Sequence, residues 1–293
     1  MPPVPSLPPA MRDAVLAWFD ANGRIFAIRE ARDPYAILVS EVMAQQTQIG
    51  RAQDYWTRWM ATFPTIEALA AASPRDVLRA WAGLGYNRRA ISLQRAARVV
   101  VAEHGGRMPE TVDGLERLPG VGPYTARAVA AIAFGVPVTA IDTNVRRVLS
   151  RVAAADGVVP PRDVQALADR LVPADRPAAW TQALMDVGAT FCRSRRPVCG
   201  ACPVRAWCRF AATGMDPARV ERPRVPFART SRWLRGRILA RLRNVDDAAW
   251  THFPDAIGDH DSDAVTSALA AMARDGLVEL DGADARRARL PLS

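Results

Sequence analysis

From residue 11 to residue 190 the chain repeats one pattern: apolar side chains at three- and four-residue spacing, broken at short intervals by Pro, Gly or Asn. Alternating runs of β-branched residues are scarce. Each such segment has a single apolar stripe to bury, so segments of this kind pack stripe to stripe and the fold class is all-α. The spacing predicts helices over 11–20, from Asp33-Pro34 through about Gln46, 50–63, from Ser73-Pro74 to near Gly83-Leu84-Gly85, and over 88–104, 112–117, 123–134, 143–153, 162–171 and 177–190. Ser or Asp followed by Pro is an N-cap followed by the residue best suited to the first helical position. A Pro- and Arg-rich stretch, 217–232, reads as a linker. Beyond it, helices over 233–243 and 264–274 and a short hairpin from Gly276 to Arg289-Leu-Pro-Leu suggest a small winged-helix-like module.

All 39 basic side chains are arginine, against 30 acidic ones, for a formal charge of +9; the chain has no lysine. Such a balance suits nucleic acid, an anionic surface or plain solvation. Arg88, Arg89, Arg146, Arg147, Arg193, Arg195 and Arg196 sit beside turns and helix starts rather than along one amphipathic face. That placement argues against a membrane-surface helix, and guanidinium forks suit phosphate. No run approaches 18 apolar residues, and Met1-Pro-Pro-Val-Pro lacks the pattern of a secretory signal, so a cytoplasmic, nucleoid-associated location with no membrane partner is expected.

The four cysteines, Cys192, Cys199, Cys202 and Cys208, are spaced C-x6-C-x2-C-x5-C. Thiols so close in a reducing compartment point to metal rather than disulfides. The spacing by itself leaves zinc and [4Fe–4S] equally open. Between the first two lies a loop with Arg193, Arg195 and Arg196, which a bound metal would order and aim at phosphate.

Leu118-Pro-Gly120-Val-Gly122-Pro-Tyr124 joins two helices through a glycine hairpin. Gly120 and Gly122 free successive N–H groups next to a helix N-terminus, where a DNA phosphate docks without reading sequence. Glu41 falls three and four residues after Leu38 and Ile37, on the apolar stripe of its helix. Burial there raises a carboxyl pKa and favours the protonated acid. Asp142 precedes the stripe of Val145, Val148 and Leu149 and reads as an N-cap. A capping carboxylate stays ionised, suited to face an oxocarbenium ion.

Together SEVMAQQTQ (40–48), WAGLGYNRRA (81–90), LPGVGPYTARAV (118–129), IDTNVRRVL (141–149) and the cysteine loop resemble the helix-hairpin-helix, iron–sulfur DNA glycosylase superfamily, and within it the adenine DNA glycosylase (MutY) branch. The resemblance implies a six-helix barrel domain with the hairpin at 31–135, a cluster-bearing helical domain from 1–30 plus 136–215, a linker at 216–229 and the added module at 230–293. It implies a monomer acting on double-stranded DNA that holds a mispair or lesion, flipping and excising adenine opposite 8-oxoguanine or guanine. Carried over by position, Glu41 protonates the base, Asp142 stabilises the oxocarbenium ion, and Tyr124 and Asn144 orient base or water. Arg29, Gln46, Thr47 and Asn87 contact DNA, Gly120 and Gly122 clamp a phosphate, and the cysteines hold [4Fe–4S]. Tyr124 stands where bifunctional relatives carry a Schiff-base lysine; with no lysine anywhere, the resemblance implies a monofunctional enzyme.

The family pattern is broken at Phe26-Ala27-Ile28-Arg29, where LPWR is usual, at Ala44, usually leucine, and at Asn87, usually a second tyrosine. Each missing aromatic contact forgoes about 1–3 kcal/mol of stacking. A glycosylase for another base and a non-catalytic DNA-binding protein are the alternatives, the latter having no need of Glu41 on an apolar face beside Asp142.

Overall fold

The computed structural model describes residues 7–214, 225–245 and 249–292; the proline-led start and residues 216–224 of the expected linker lie outside them. Among the described residues the helices are α1 (Pro9–Asn22), α2 (Pro34–Ala44), α3 (Ile49–Thr62), α4 (Ile66–Ala71), α5 (Pro74–Ala80), α6 (Arg88–His104), α7 (Val112–Glu116), α8 (Pro123–Ala133), α9 (Thr143–Ala153), α10 (Pro161–Leu171), α11 (Pro177–Thr190), α12 (Arg209–Thr213), α13 (Ser231–Arg243) and α14 (Ser262–Arg274). Three short strands follow the same order: β1 (Thr251–His252), β2 (Glu279–Asp281) and β3 (Asp284–Arg289). No helix is long and apolar enough to cross a membrane among the described residues.

The chain divides into two compact units. The first comprises Met1–Glu41, Pro109–Arg117 and Val121–Glu221. Its core joins Met11 and Val15 of α1, Val145, Val148 and Leu149 of α9, Leu167 of α10, and Trp180 and Leu184 of α11. Asp142 starts α9 as expected: its Oδ1 accepts the Val145 N–H at 2.7 Å. Each fully buried Leu or Val contributes about 1.5–3 kcal/mol, so the stripe rather than helix propensity holds these elements.

The second unit comprises Val42–Met108, Leu118–Gly120 and Arg222–Ser293. Here α4 and α5 pack on α6, and the Trp59 ring meets Phe63 and Trp81 edge-on at 4.9 and 5.4 Å. The strands form an antiparallel sheet of order β1-β3-β2, with Thr251 opposite Ala288 and Leu280 on its other side. Leu234, Ile238, Leu239 and Leu242 of α13 share one core with Phe253, Val265, Leu269 and Met272, and also with Leu78 of α5 and Ile91 of α6. Two helices and three short strands have little apolar surface of their own, and this stretch completes its core on the helices before it.

Two helix ends depart from the sequence expectation. Helix α2 stops at Ala44, not near Gln46, because Gln46 adopts a left-handed φ of 56° that no helix continues. Helix α5 stops at Ala80, and the chain turns through Gly83 at φ 93°. A Cβ at Gly83 would lie 2.2 Å from the Tyr55 hydroxyl, so only glycine fits this turn. The short helices α4 and α12 and the two-residue strand β1 were not anticipated.

Candidate active site and cysteine loop

Helix α2 buries Ile37 and Leu38 almost completely and carries Glu41 half-buried on the following turn. From α8 the Tyr124 hydroxyl donates to Glu41 Oε2 at 2.8 Å. Burial raises the Glu41 pKa above the usual carboxylate range; the Tyr124 bond and the Arg29 charge oppose that rise, and Asp142 adds to it. The Tyr124 pKa is itself pushed well up by burial and by Glu41, so the phenol stays a donor.

At the start of α9, Asp142 spends one oxygen on its cap and accepts the Asn144 amide on the other, Oδ2, at 2.9 Å. Asn144 Oδ1 in turn accepts Arg147 Nη2 at 2.7 Å, and the same guanidinium donates to the Gly188 carbonyl at 2.9 Å and to the Cys192 carbonyl. Arg147, which charge placement alone assigns to phosphate, is thus committed inside the first unit.

Asp186 and Arg24 are functional-site neighbours that the sequence reading did not single out. Asp186 of α11 is fully buried and accepts Arg29 Nη1 and Nη2 at 2.9 and 2.8 Å, Arg24 Nε at 2.8 Å and the Arg24 N–H at 3.0 Å. Burial alone would raise its pKa, but the Arg29 and Arg24 bonds prevail and hold it low. Arg29, expected at DNA, spends both Nη atoms on this carboxylate and is only 13% exposed. The available signal was Asp186 between Met185 and Val187 in an apolar helix, the same signal that singles out Glu41.

The four cysteines line one cavity, closed by Val148, Val152, Val204 and Phe210. The Ala211 N–H points at Cys208 Sγ (3.4 Å) and Arg151 Nη1 at Cys192 Sγ (3.5 Å), both donors that favour thiolate. Arg151 also donates to the Arg193 carbonyl at 2.8 Å, fixing the loop start. Burial raises the Cys202 thiol to about 11 and Cys208 in the same direction. Among the described residues no three His, Cys, Asp or Glu side chains are close enough to share a single ion. Four thiols lining one enclosed cavity are a donor set that fits iron–sulfur or zinc. Arg193, Arg195 and Arg196 are exposed on the loop, Arg196 with a left-handed φ of 49°.

The remaining residues singled out by sequence fall as follows. Gly122 is the N-cap of α8 in the first unit. Gly120, in the second, has φ 78°, and a Cβ there would lie 2.5 Å from Ser92 Cβ. Gln46, Thr47 and Asn87 line one cleft of the second unit. Arg89 is turned inward, donating to the Val42 and Gln45 carbonyls at 2.6 and 2.7 Å, so it fixes the end of α2 rather than facing phosphate.

Residues 39–174 match the model of the HhH-GPD superfamily base excision DNA repair protein. The adenine DNA glycosylase of Mycolicibacterium smegmatis is 40% identical over 268 residues, 90% of this chain and 91% of the relative. The chain belongs to the MutY branch of the helix-hairpin-helix superfamily. The human adenine DNA glycosylase is 45% identical over 213 residues, of which this MutY-branch chain spans 68% of its own length and only 39% of the human protein's. A solved thermostable thymine-DNA glycosylase aligns with TM-score 0.65 at 29% identity over 69% of the chain and 95% of that structure. Endonuclease III in a trapped DNA complex shares the fold, with TM-score 0.62 at 23% identity over 71% and 99%.

Proposed function

We infer that this MutY-branch protein is a monofunctional adenine DNA glycosylase of base excision repair, acting on adenine opposite 8-oxoguanine or guanine. The observation that carries the reading is the Tyr124–Glu41 bond of 2.8 Å beside an Asp142 carboxylate held by Val145 and Asn144, in a chain whose relatives bear that name. Flipping brings the adenine out of the stack. Protonated Glu41 gives its proton to a ring nitrogen of the base, so that the N-glycosidic bond breaks with its electron pair leaving on a neutral adenine. Asp142 faces the positive charge left on the sugar, and water closes the reaction at the anomeric carbon. Asn144 keeps the Asp142 carboxylate oriented. Gly120 and Gly122 offer N–H groups to a phosphate, and Arg193, Arg195 and Arg196 extend the basic surface for duplex DNA.

Cys192, Cys199, Cys202 and Cys208 would hold [4Fe–4S], which would order the loop whose Arg193, Arg195 and Arg196 carry the positive charge, rather than cleave the bond. Iron analysis of purified protein is expected to give about four irons and no zinc, with a brown visible absorption that Cys202→Ser abolishes. Zinc in place of iron would reverse the assignment.

Duplexes carrying A, T, U or hypoxanthine opposite G, 8-oxoguanine or C, treated with alkali after incubation, test the substrate. Adenine release opposite 8-oxoguanine or guanine is expected. The second reading, release of another base, is favoured by Ile28, Ala44 and Asn87 where the family pattern differs and by the likeness to a thymine-DNA glycosylase; it wins if T is released and A is not. Borohydride added during turnover is expected to trap no lysine adduct, since no lysine exists. Strand cleavage before alkali at the rate of base loss would overturn the monofunctional assignment.

A further inference from the structure

We propose that Arg151 is the buried counter-charge of the cysteine cavity: its guanidinium offsets the negative charge of the loaded site and sets the potential at which the cluster gives up an electron. The proposal rests on the iron–sulfur reading of Cys192, Cys199, Cys202 and Cys208.

Arg151 lies in the last turn of α9, where it lines the cavity together with Val148 and Val152 and is only 6% exposed. A guanidinium stays charged in any protein environment, and an interior retains a charge only beside an opposite one. Of the two arginines buried among the described residues, Arg75 is answered by Glu279, whose pKa its charge lowers. No carboxylate pairs with Arg151 among the described residues. Its Nη1 donates instead to the Arg193 carbonyl at 2.8 Å and points at Cys192 Sγ at 3.5 Å. Four thiolates carry more negative charge than an iron–sulfur core or a zinc ion carries positive, so the loaded site is an anion. Arg151 has its partner there.

The guanidinium is also held in place and shielded. The Phe210 ring, another wall of the cavity, lies 4.7 Å from it. Gly157, at φ 71°, follows α9, and a Cβ there would lie 3.1 Å from Arg151 Cγ and 3.6 Å from the Phe210 ring. The backbone after α9 therefore closes over Arg151 and keeps water away. The Cys208 thiol donates to the Arg151 carbonyl at 3.4 Å, so the first and last cysteines of the loop both meet this one residue. Arg205 lines the same cavity but is exposed, and solvent screens its charge. A charge in a low-dielectric interior acts far more strongly than a screened one. Oxidation takes one electron from the anion and weakens its attraction to Arg151. A fixed cation therefore favours the reduced cluster and raises its potential. The electron passes to an outer-sphere one-electron oxidant such as ferricyanide, which becomes ferrocyanide, and no bond forms or breaks.

The test is the potential of the full-length iron-loaded protein, titrated with ferricyanide and one-electron mediators and read by visible absorption. Arg151→Met removes the charge and keeps a long side chain. It is expected to favour the oxidised cluster at least tenfold, a fall of about 59 mV for one electron. Arg151→Lys, which keeps the charge without the fork, and Arg205→Met, which removes a screened charge, are each expected to stay within about threefold of wild type. A residue that merely anchors the loop would lower the melting temperature on substitution and leave the potential alone. An unshifted potential in Arg151→Met, or an equal fall in Arg151→Lys or Arg205→Met, overturns the proposal. If Arg151→Met purifies without iron, reconstitution with ferrous iron and sulfide decides: loading of Arg151→Lys but not Arg151→Met supports the charge, and failure of both overturns it. Wild type holding zinc and no iron would sink the cluster reading by itself. The counter-charge then shows as zinc lost to a chelator at least about tenfold faster from Arg151→Met than from Arg151→Lys, and equal rates overturn it as well.

Discussion

Glu41→Gln is expected to slow single-turnover adenine excision by a factor on the order of 10²–10⁴, the usual worth of a positioned general acid, while leaving thermal stability unchanged. Glutamine keeps the size of the side chain and an oxygen for the Tyr124 hydroxyl, so the loss reads the proton and not the fold. The pH profile carries the sharper signature. Burial raises the Glu41 pKa, so the protonated acid persists above the ordinary carboxylate range, and the rate declines as pH rises through that raised value. Tyr124 donates to the carboxylate and so favours its ionised form; Tyr124→Phe removes that donor, and the declining limb moves to more alkaline pH. Asp142→Asn completes the set. Asparagine caps a helix about as well as aspartate, so α9 stays in place while the charge facing the sugar is lost. A decline on the order of 10²–10³ at constant melting temperature is expected. Excision by Glu41→Gln at the wild-type rate would falsify its role as the acid.

What the sequence disclosed about this site was local. Glu41 was legible because a charge on a helical apolar stripe needs a reason, and Asp142 because a carboxylate before such a stripe is a cap. Both inferences need only the 3.6-residue period. Partners distant in the chain were not legible: Tyr124 reaches Glu41 across 83 residues and Arg24 reaches Asp186 across 162. No period encodes such pairs, so Arg89 and Arg147 looked alike as cations near turns and Arg29 came only from the resemblance as a DNA contact; the structure turns all three inward onto carboxylate or carbonyl oxygens. The end of α2 was misplaced because glutamine carries no mark of a left-handed conformation; that geometry accompanies the Arg89 clamp on the Val42 and Gln45 carbonyls. The terminal stretch was recognisable as helices and a hairpin, but its shared core with Leu78 and Ile91 is a tertiary fact.

Asp186→Ala is expected to cost about 3–5 kcal/mol of stability, the largest loss among single substitutions outside the apolar cores. Asp186 is fully buried, and its removal leaves two guanidinium groups and the Arg24 N–H without their acceptor. Arg24 is 38% exposed and recovers some hydration, whereas Arg29 at 13% does not. The sign of the pH dependence follows from the lowered Asp186 pKa. The folded state binds its proton less readily than the unfolded state, so the stabilisation is complete above the ordinary aspartate pKa and disappears as pH falls through the lowered one. Denaturant unfolding of wild type and Asp186→Ala at neutral pH and in acid measures this: the gap between them is expected to narrow on acidification. A gap constant with pH would mean that the carboxylate contributes packing but no charge. Asp186→Asn separates structure from chemistry. It keeps the side-chain volume and cancels the charge that balances Arg29, whose field already favours the ionised form of Glu41. The Glu41 pKa is then expected to fall and the declining limb of excision to move to lower pH, opposite to the shift from Tyr124→Phe. Opposite displacements of one limb by two substitutions on different helices would establish that the buried ion network sets the proton affinity of the acid.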